Sequence, residues 1–577
     1  MSQTDRPRAA NELIKERSDY LRGSIAEGLR DPLTGAIGAD DGQLLKFHGS
    51  YQQDDRDLRQ ERLAQKLEPL YSFMIRLRMP GGVCTPQQWQ VLDALAGSHA
   101  NGTLRLTTRQ TIQYHGVLKP KLRDTLYQVN QILLDTLAAC GDVNRNVMCG
   151  VVPETSHLHA QVQHWATRIS AHLLPQSGAY HEIWLDGQRV AGGAEPASEQ
   201  EPVYGRHYLP RKFKIAVAVP PRNDVDVYAN DVGFIAIEQD GRLAGFNVTA
   251  GGGLGRTHGE PATWPRLGEL LGFCTPEQSL AVAEQLMCIQ RDHGDRSDRK
   301  HARFKYTIAD HGLEWLQGEL TRRLGWRLSA PRPFRFDHSG DSFGWVRGTD
   351  GRWHYTLFVE NGRIADWSDY LMRTALREIA EFMASDDGVR EPGQPRGEFR
   401  LTGNQNLVLA SIDDAARPAI EALLARHGLE RSERQSPLRR ASMACVALPT
   451  CGLAMSEAER YLPRLIGLLE SRMRSLDLES QPIMVRMTGC PNGCGRPYLG
   501  EIGLVGKSPG HYQLWLGANR QGDRLAQLYA ESLDEDGLLA TLAPMLERYA
   551  AERYDGEAFG DFVTRAGYVD NPLAFDI

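Results

Sequence analysis

Four cysteines sit late in the chain in two pairs, Cys445 and Cys451 in "ACVALPTC" and Cys490 and Cys494 in "TGCPNGCG". The spacing is C-x5-C, then 38 residues, then C-x3-C. Structural zinc usually takes C-x2-C knuckles, and neither pair has that spacing. Four thiolates set wider suit an iron–sulfur cluster, with a zinc site and unligated core cysteines as the alternatives. The Pro-Asn-Gly between Cys490 and Cys494 bends the chain so that both sulfurs can face one centre. Of the other five cysteines, Cys84, Cys140, Cys274 and Cys288 read as buried small apolar residues, and Cys149 takes no role.

A second set of residues carries fixed positive charge. "RLTTRQ" places Arg105 and Arg109 four apart, with Gln113 four further on. On one continuous strand the three would share a face. Lys212 and Lys214 in "RKFK", which starts at Arg211, alternate onto one face in the same way. Arg76 in "MIRLRMPGG" and Arg145 in "NRN" add to the set. Any one of these read alone is a surface salt bridge. Together they are costly to bury without anionic partners. A polycarboxylate cofactor with a small oxyanion would account for all of them.

The elements that must position these groups show an internal repeat. "GTLRLTTRQTIQYHGV" (102–117) and "GEFRLTGNQNLVLASI" (397–412) share Gly, Arg, Leu, Thr and Gln at five matching offsets. Each copy follows a strand ending in a Gly turn and then an amphipathic helix. In the first copy these are "YSFMIRLRMPGG" and "TPQQWQVLDALAGSHA", with Thr85 as the helix cap; in the second, "WHYTLFVENGRI" and "WSDYLMRTALREIAEFMA". Shared order of three elements points to duplication. A larger unit follows each copy in the order loop, amphipathic helix, strand, Gly-rich strand pair. The cysteine pairs fall only in the second, and Arg145 and "RKFK" stand at the corresponding places of the first. The expectation is therefore a mixed α/β chain with pseudo-twofold duplication. It divides into a polar arm (1–65), a first small repeat (66–137), a first large α/β unit (138–333), a second small repeat (334–428) and a second large unit (429–577). "AGGGLGRTHG" (250–259) lacks the strand–turn–helix context and the acidic residue of a dinucleotide fingerprint. It reads as a loop that lets backbone approach a bulky group.

Bulk properties exclude several classes. The chain has 577 residues, 41 % hydrophobic and 24 % charged, with net charge −7, so a general nucleic-acid binder is not expected. Nine cysteines are too few, and odd in number, for a disulfide scaffold. The N-terminus has no apolar signal core, and no apolar run of about 18 residues implies a membrane span. A reducing cytoplasm is expected, where clustered thiols serve metal or redox chemistry.

With "ACVALPTC", "TGCPNGCG" and the paired "RLTTRQ" and "RLTGNQ" in view, the chain resembles the sulfite and nitrite reductases that carry sirohaem and a 4Fe–4S cluster. The resemblance runs from "RGSIAEGLRDPLTG" almost to the C-terminus. It implies that the small repeats pair as one ferredoxin-like domain and that the two large units clasp the sirohaem. It implies that Cys445, Cys451, Cys490 and Cys494 ligate the cluster, with Cys494 shared with the sirohaem iron. Arg76, Arg145, Lys212 and Lys214 would bind the oxyanion, sulfite. Arg105, Arg109, Gln113, Arg211, Asn404 and Asn492 would engage the macrocycle or lie close to it. No flavin or NADPH fingerprint is present, so electrons are expected from a separate NADPH-dependent flavoprotein, with the polar arm as its docking segment. A ferredoxin-linked relative and, in a different class, a zinc-binding scaffold or regulatory protein are the competing readings.

Overall fold

The computed structural model describes residues 6–176, 183–185, 188–191, 201–385 and 395–570. Its first five-stranded sheet runs, in spatial order, Ser50–Asp54, Tyr71–Arg76, Ile112–Val117, Leu104–Leu106 and Arg363–Ile364. A second sheet runs Gly344–Arg347, Trp353–Leu357, Leu407–Ile412, Glu398–Leu401 and Val83–Cys84. Each small repeat thus lends one short strand to the other's sheet. Phe399 pairs with Cys84, and Arg363 with Arg105. The two exchanged strands leave equivalent turns. Gly82 and Gly362 each have φ +72°, and a Cβ there would fall 2.8 Å from Leu401 O and 2.4 Å from Leu106 O. Only glycine meets both demands.

Helix formation follows the local signals. Thr85 caps Pro86–Ser98 by accepting from Gln88 N at 3.1 Å, while Gln88 Oε1 accepts from Thr85 N at 2.9 Å. That helix buries Trp89, Leu92, Leu95 and Ala96, one face at helical spacing. Its counterpart, Met372–Ala384, buries Ala375, Leu376, Ile379, Ala380 and Met383, and the two helices pack together. Trp89 stacks on Phe399 of the other half at 4.4 Å, so one core serves both repeats.

The large units repeat a second topology. In one, the order is Met148–Cys149, Ile215–Ala218, Val232–Gln239, Arg242–Ala250 and Glu269–Cys274. In the other it is Met443–Ala444, Val485–Thr488, Ile502–Ser508, His511–Leu516 and Gln527–Leu533. The first two pairings are parallel and the last two antiparallel in both. Ile215 pairs with Val232 as Val485 pairs with Ile502, so the connections between are equally long and their residues correspond one to one. The mixed α/β, duplicated architecture is as expected. Residue correspondence is not: Asp224 and Pro220 stand where Cys494 and Cys490 stand, and Gly150 where Cys445 stands, rather than Arg145 and "RKFK". The sequence order of elements could not set this register, because strand pairing sets it.

Residues 6–54 pack onto this frame. Helix Ala10–Arg17 buries Glu12 and Lys15, which pair with each other, and Lys15 Nζ lies 3.7 Å from Asp142. Leu21, Leu44, Leu45 and Phe47 are buried.

Candidate functional site

The strand Met443–Ala444 ends at Cys445, whose N–H bonds Met487 O at 3.2 Å. The strand Val485–Thr488 then delivers the turn holding Cys490 and Cys494. Close backbone packing draws the two segments together: a Cβ on Gly495 would lie 2.2 Å from Met487 O. Donors point at the sulfurs. Gly489 N is 3.3 Å and Thr488 Oγ1 3.4 Å from Cys445 Sγ, and Asn492 Nδ2 is 3.6 Å from Cys490 Sγ. Burial, reinforced by the neighbouring Cys494, pushes the Cys445 and Cys490 thiols up to about 12. Burial and Cys494 raise Cys451 as well. Ionising such a group of thiols requires a compensating cation among them. Among the described residues no three His, Cys, Asp or Glu side chains converge closely enough for a single metal ion. Cys445, Cys451, Cys490 and Cys494 are nonetheless electrostatic neighbours of one another.

Cys494, the exposed member of the four, opens into a pocket that Arg109, Lys212, Lys214, Arg303 and Asn492 also line. The hairpin Leu104–Leu106 to Ile112–Val117 supplies Arg109. This corrects the expectation of one strand face for Arg105, Arg109 and Gln113. Residues 107–111 turn, with Gln110 at φ +52°, so Arg109 sits at the tip and Arg105 pairs across the ladder with Gln113. Arg109 donates to Asn230 Oδ1 at 2.9 Å, Asn146 O at 2.6 Å and Ile215 O at 2.9 Å. Burial and then Arg145 pull its pKa to about 9. Lys214, pulled to about 7 by burial and then by Arg109 and Arg303, approaches from the strand end before Ile215. Lys212 is lowered further, by burial first and Arg211 next. Arg145 donates to Gly141 O at 2.8 Å and Ala139 O at 3.3 Å. Arg76 donates to Cys140 Sγ at 2.9 Å, and with its amide oxygen turned toward the guanidinium Gln113 accepts from Nη2 at 2.5 Å and Nε at 2.8 Å.

A common feature emerges. Arg76, Arg109 and Arg145 are held by carbonyl, amide and thiol acceptors, and among the described residues they, Arg211, Lys212 and Lys214 have no carboxylate at salt-bridge distance. Other buried arginines do. Arg105 lies 3.1 Å from Glu459, Arg303 3.0 Å from Asp231, Arg496 2.9 Å from Asp226 and Arg299 2.8 Å from Asp142. A cluster of cations held only by neutral groups leaves positive potential for an anionic ligand.

The structure brings Arg109, Lys212, Lys214, Asn492 and Cys494 onto one pocket. Arg76 and Arg145 are its electrostatic neighbours through Arg109, and Arg211 adjoins it through Lys212. Arg105 and Asn404 do not line it, although Asn404 Oδ1 accepts from Arg496, which does, at 2.9 Å. Arg105 bonds Asn361 O and Ala444 O beside Glu459. Asn404 bonds Ser339 O at 2.8 Å and Asp341 Oδ1 at 3.1 Å. Sequence reasoning missed Asn230, Arg303 and Arg496. The cationic run around "RFK" (303–305) was a visible signal for Arg303, whereas a lone Asn carried none. The Gly-rich loop does meet a partner: Arg256 N bonds Pro491 O at 2.8 Å, and Lys305 Nζ ties the loop by Gly253 O and Gly255 O, both at 2.9 Å.

Known proteins share this arrangement of chain. The family described as "Nitrite and sulphite reductase 4Fe-4S domain" matches residues 164–328. "Nitrite/Sulfite reductase ferredoxin-like half domain" matches 65–127 and 346–427, the two exchanged repeats. A Myxococcus xanthus protein named sulfite reductase (NADPH) hemoprotein beta-component is 56% identical over 572 residues, covering 99% of each chain. The Bacillus subtilis protein of the same name is 55% identical, covering 97% of this chain and 95% of its own. Among solved structures, the Mycobacterium tuberculosis NirA protein superposes with a TM-score of 0.76 at 25% identity, covering 97% of both chains.

Proposed function

The chain belongs to the nitrite and sulfite reductase family, and on that premise we propose that it is the haem-bearing component of an NADPH-dependent sulfite reductase. The reaction is the reduction of sulfite to sulfide. Sulfur passes from the +4 to the −2 state, so six electrons enter and three oxygens leave as water. When bound, a sirohaem with a 4Fe–4S cluster would supply the electron-transfer chemistry. Cys445, Cys451, Cys490 and Cys494 would hold the cluster, with Cys494 the one that would also serve the sirohaem. Arg109, Gln113, Arg211 and Asn492 would engage the carboxylates of the macrocycle or lie close to them. Arg76, Arg145, Lys212 and Lys214 bind the oxyanion and polarise its S–O bonds. With a pKa near 7, Lys214 can give up and regain a proton at neutral pH as oxygen departs.

The observation that carries this reading is Cys494, which belongs to the sulfur quartet and to the cation-lined pocket at once. Electrons come from a separate NADPH-dependent flavoprotein, with 1–65 as its docking element, on which Leu13, Leu33 and Leu63 stay exposed. The enzyme works in the cytoplasm as part of assimilatory sulfate reduction, and among the described residues no helix is long and apolar enough to cross a membrane. The test is an absorption spectrum with iron and acid-labile sulfide analysis, followed by sulfite-dependent oxidation of NADPH with the flavoprotein added. Haem and cluster bands with stoichiometric sulfide production are expected. A colourless, zinc-containing protein would end the reading.

A further inference from the structure

Arg76 is gripped on two sides by groups that are not carboxylates, Gln113 on the neighbouring strand and Cys140 in the loop that leads to Arg145. We infer that Cys140 is a positioning residue for sulfite, orienting the Arg76 guanidinium without a carboxylate counter-ion. The inference rests on the reading above, in which Arg76 binds the oxyanion.

Three observations support it. First, the contact is a hydrogen bond from Arg76 Nη1 to Cys140 Sγ at 2.9 Å, and Cys140 itself is fully buried. Second, Gln113 takes Nη2 and Nε, so Gln113 and Cys140 between them engage all three guanidinium nitrogens. Third, other buried arginines use carboxylates, two of them on the pocket itself: Arg105 has Glu459, Arg303 has Asp231 and Arg496 has Asp226, whereas Arg76 has none at salt-bridge distance among the described residues. A carboxylate beside Arg76 would hold it more strongly, yet would cancel the potential that an anion needs. A single sulfur acceptor fixes one guanidinium nitrogen and leaves out the bidentate grip of a carboxylate. The choice of acceptor sacrifices stability for anion affinity, the trade-off expected of a binding site.

The test uses three substitutions in the haem-loaded enzyme, with KM for sulfite, the haem absorption spectrum and the thermal midpoint all read. Cys140→Ser keeps a neutral acceptor and should stay within about threefold of the parent KM. Cys140→Ala removes it and should raise KM about tenfold with the spectrum unchanged. Cys140→Asp should raise KM on the order of a hundredfold while raising the thermal midpoint, since it supplies a counter-ion to Arg76. A packing role would instead lower the midpoint and KM performance together. The Arg76→Met background separates this inference from the reading it rests on. If Arg76→Met raises KM and Cys140→Asp adds nothing in that background, the positioning role stands. If Arg76→Met leaves KM unchanged, the oxyanion role of Arg76 itself fails. If Arg76→Met raises KM but Cys140→Asp does not in the parent enzyme, Cys140 is overturned alone. Should Cys140→Asp fail to load haem, the ratio of KM between Cys140→Ser and Cys140→Ala decides, and equality overturns the role.

Discussion

The two halves build the same pocket twice and fill it with opposite chemistry. In the first, the hairpin tip offers Arg109 and the strand end offers Lys214. In the second, Asn404 and Met484 stand at those places, in a cleft also lined by Arg440 and Arg486. There the chain plugs its own cleft. Asp341 accepts from Thr402 Oγ1 and Asn406 Nδ2, each at 2.7 Å, and from Asn404 Nδ2 at 3.1 Å. The matching Thr107 makes the same local turn bonds, accepting from Arg109 N and Thr111 N as Thr402 accepts from Asn404 N and Asn406 N. Backbone is thus alike between halves while the charge differs: Asp341 supplies a carboxylate to one cleft, and among the described residues no Asp or Glu lines the other. A further contrast lies at the turn, where Asp224 occupies the place of Cys494. Halves so alike in backbone show that side chains alone assign the function.

The comparison can be broken at its sharpest point first. Cys494→Ser makes the second turn sulfur-poor like the first. It should abolish haem and cluster absorption and cut turnover by more than about a thousandfold. Intact spectra with full activity would remove Cys494 from the site. Lys214→Met copies Met484 into the first half. The expected fall in kcat/KM is about a hundredfold or more with unchanged spectra, and an unaltered rate would show that the cation is dispensable. Asp226 is the joint between the halves, buried against Arg486 at 2.6 Å and Arg496 at 2.9 Å. Asp226→Asn should cost about 3 kcal/mol of stability, read as a lower thermal midpoint, because two buried guanidinium groups lose their carboxylate.

The smallest effect concerns Asp224. Burial and then the nearby Asp341 raise its carboxyl to about 7. A carboxyl held above its unfolded value binds its proton more tightly in the native state. It therefore erodes stability as pH rises from about 4 to about 7 and erodes it no further above that. Asp224→Asn should remove this slope, at most about 1 kcal/mol per pH unit, from the pH dependence of thermal unfolding. An identical profile in the variant would contradict the raised value.

Much of the site was legible early because its residue types are rare and costly. Four spaced thiols and a set of Arg and Lys at repeated positions demand compensation wherever they are buried. Element order was legible for a different reason. Thr85 with Gln88, and the Gly turns at 82 and 362, are local signals that act within a few residues. Arg105 and Arg109 misled for a matching reason. Four positions apart on a strand they share a face, but residues 107–111 turn between them, and only the pairing of Arg105 with Gln113 shows it. Cys140 was equally hidden, since nothing in its neighbours forecasts contact with Arg76, which lies 64 positions away.

From the order of residues alone came the duplication, the mixed α/β class and the list of groups able to hold metal and anion. These depend on periodicity, caps and residue chemistry, which act locally. The tertiary structure decided which cations keep their charge free and which spend it on Glu459, Asp231 or Asp226. It also decided that Asp341 lines one cleft while, among the described residues, no Asp or Glu lines the other. Charge compensation depends on distance through space between segments remote in the chain, so it is settled only when strand register and the exchange of short strands bring them together.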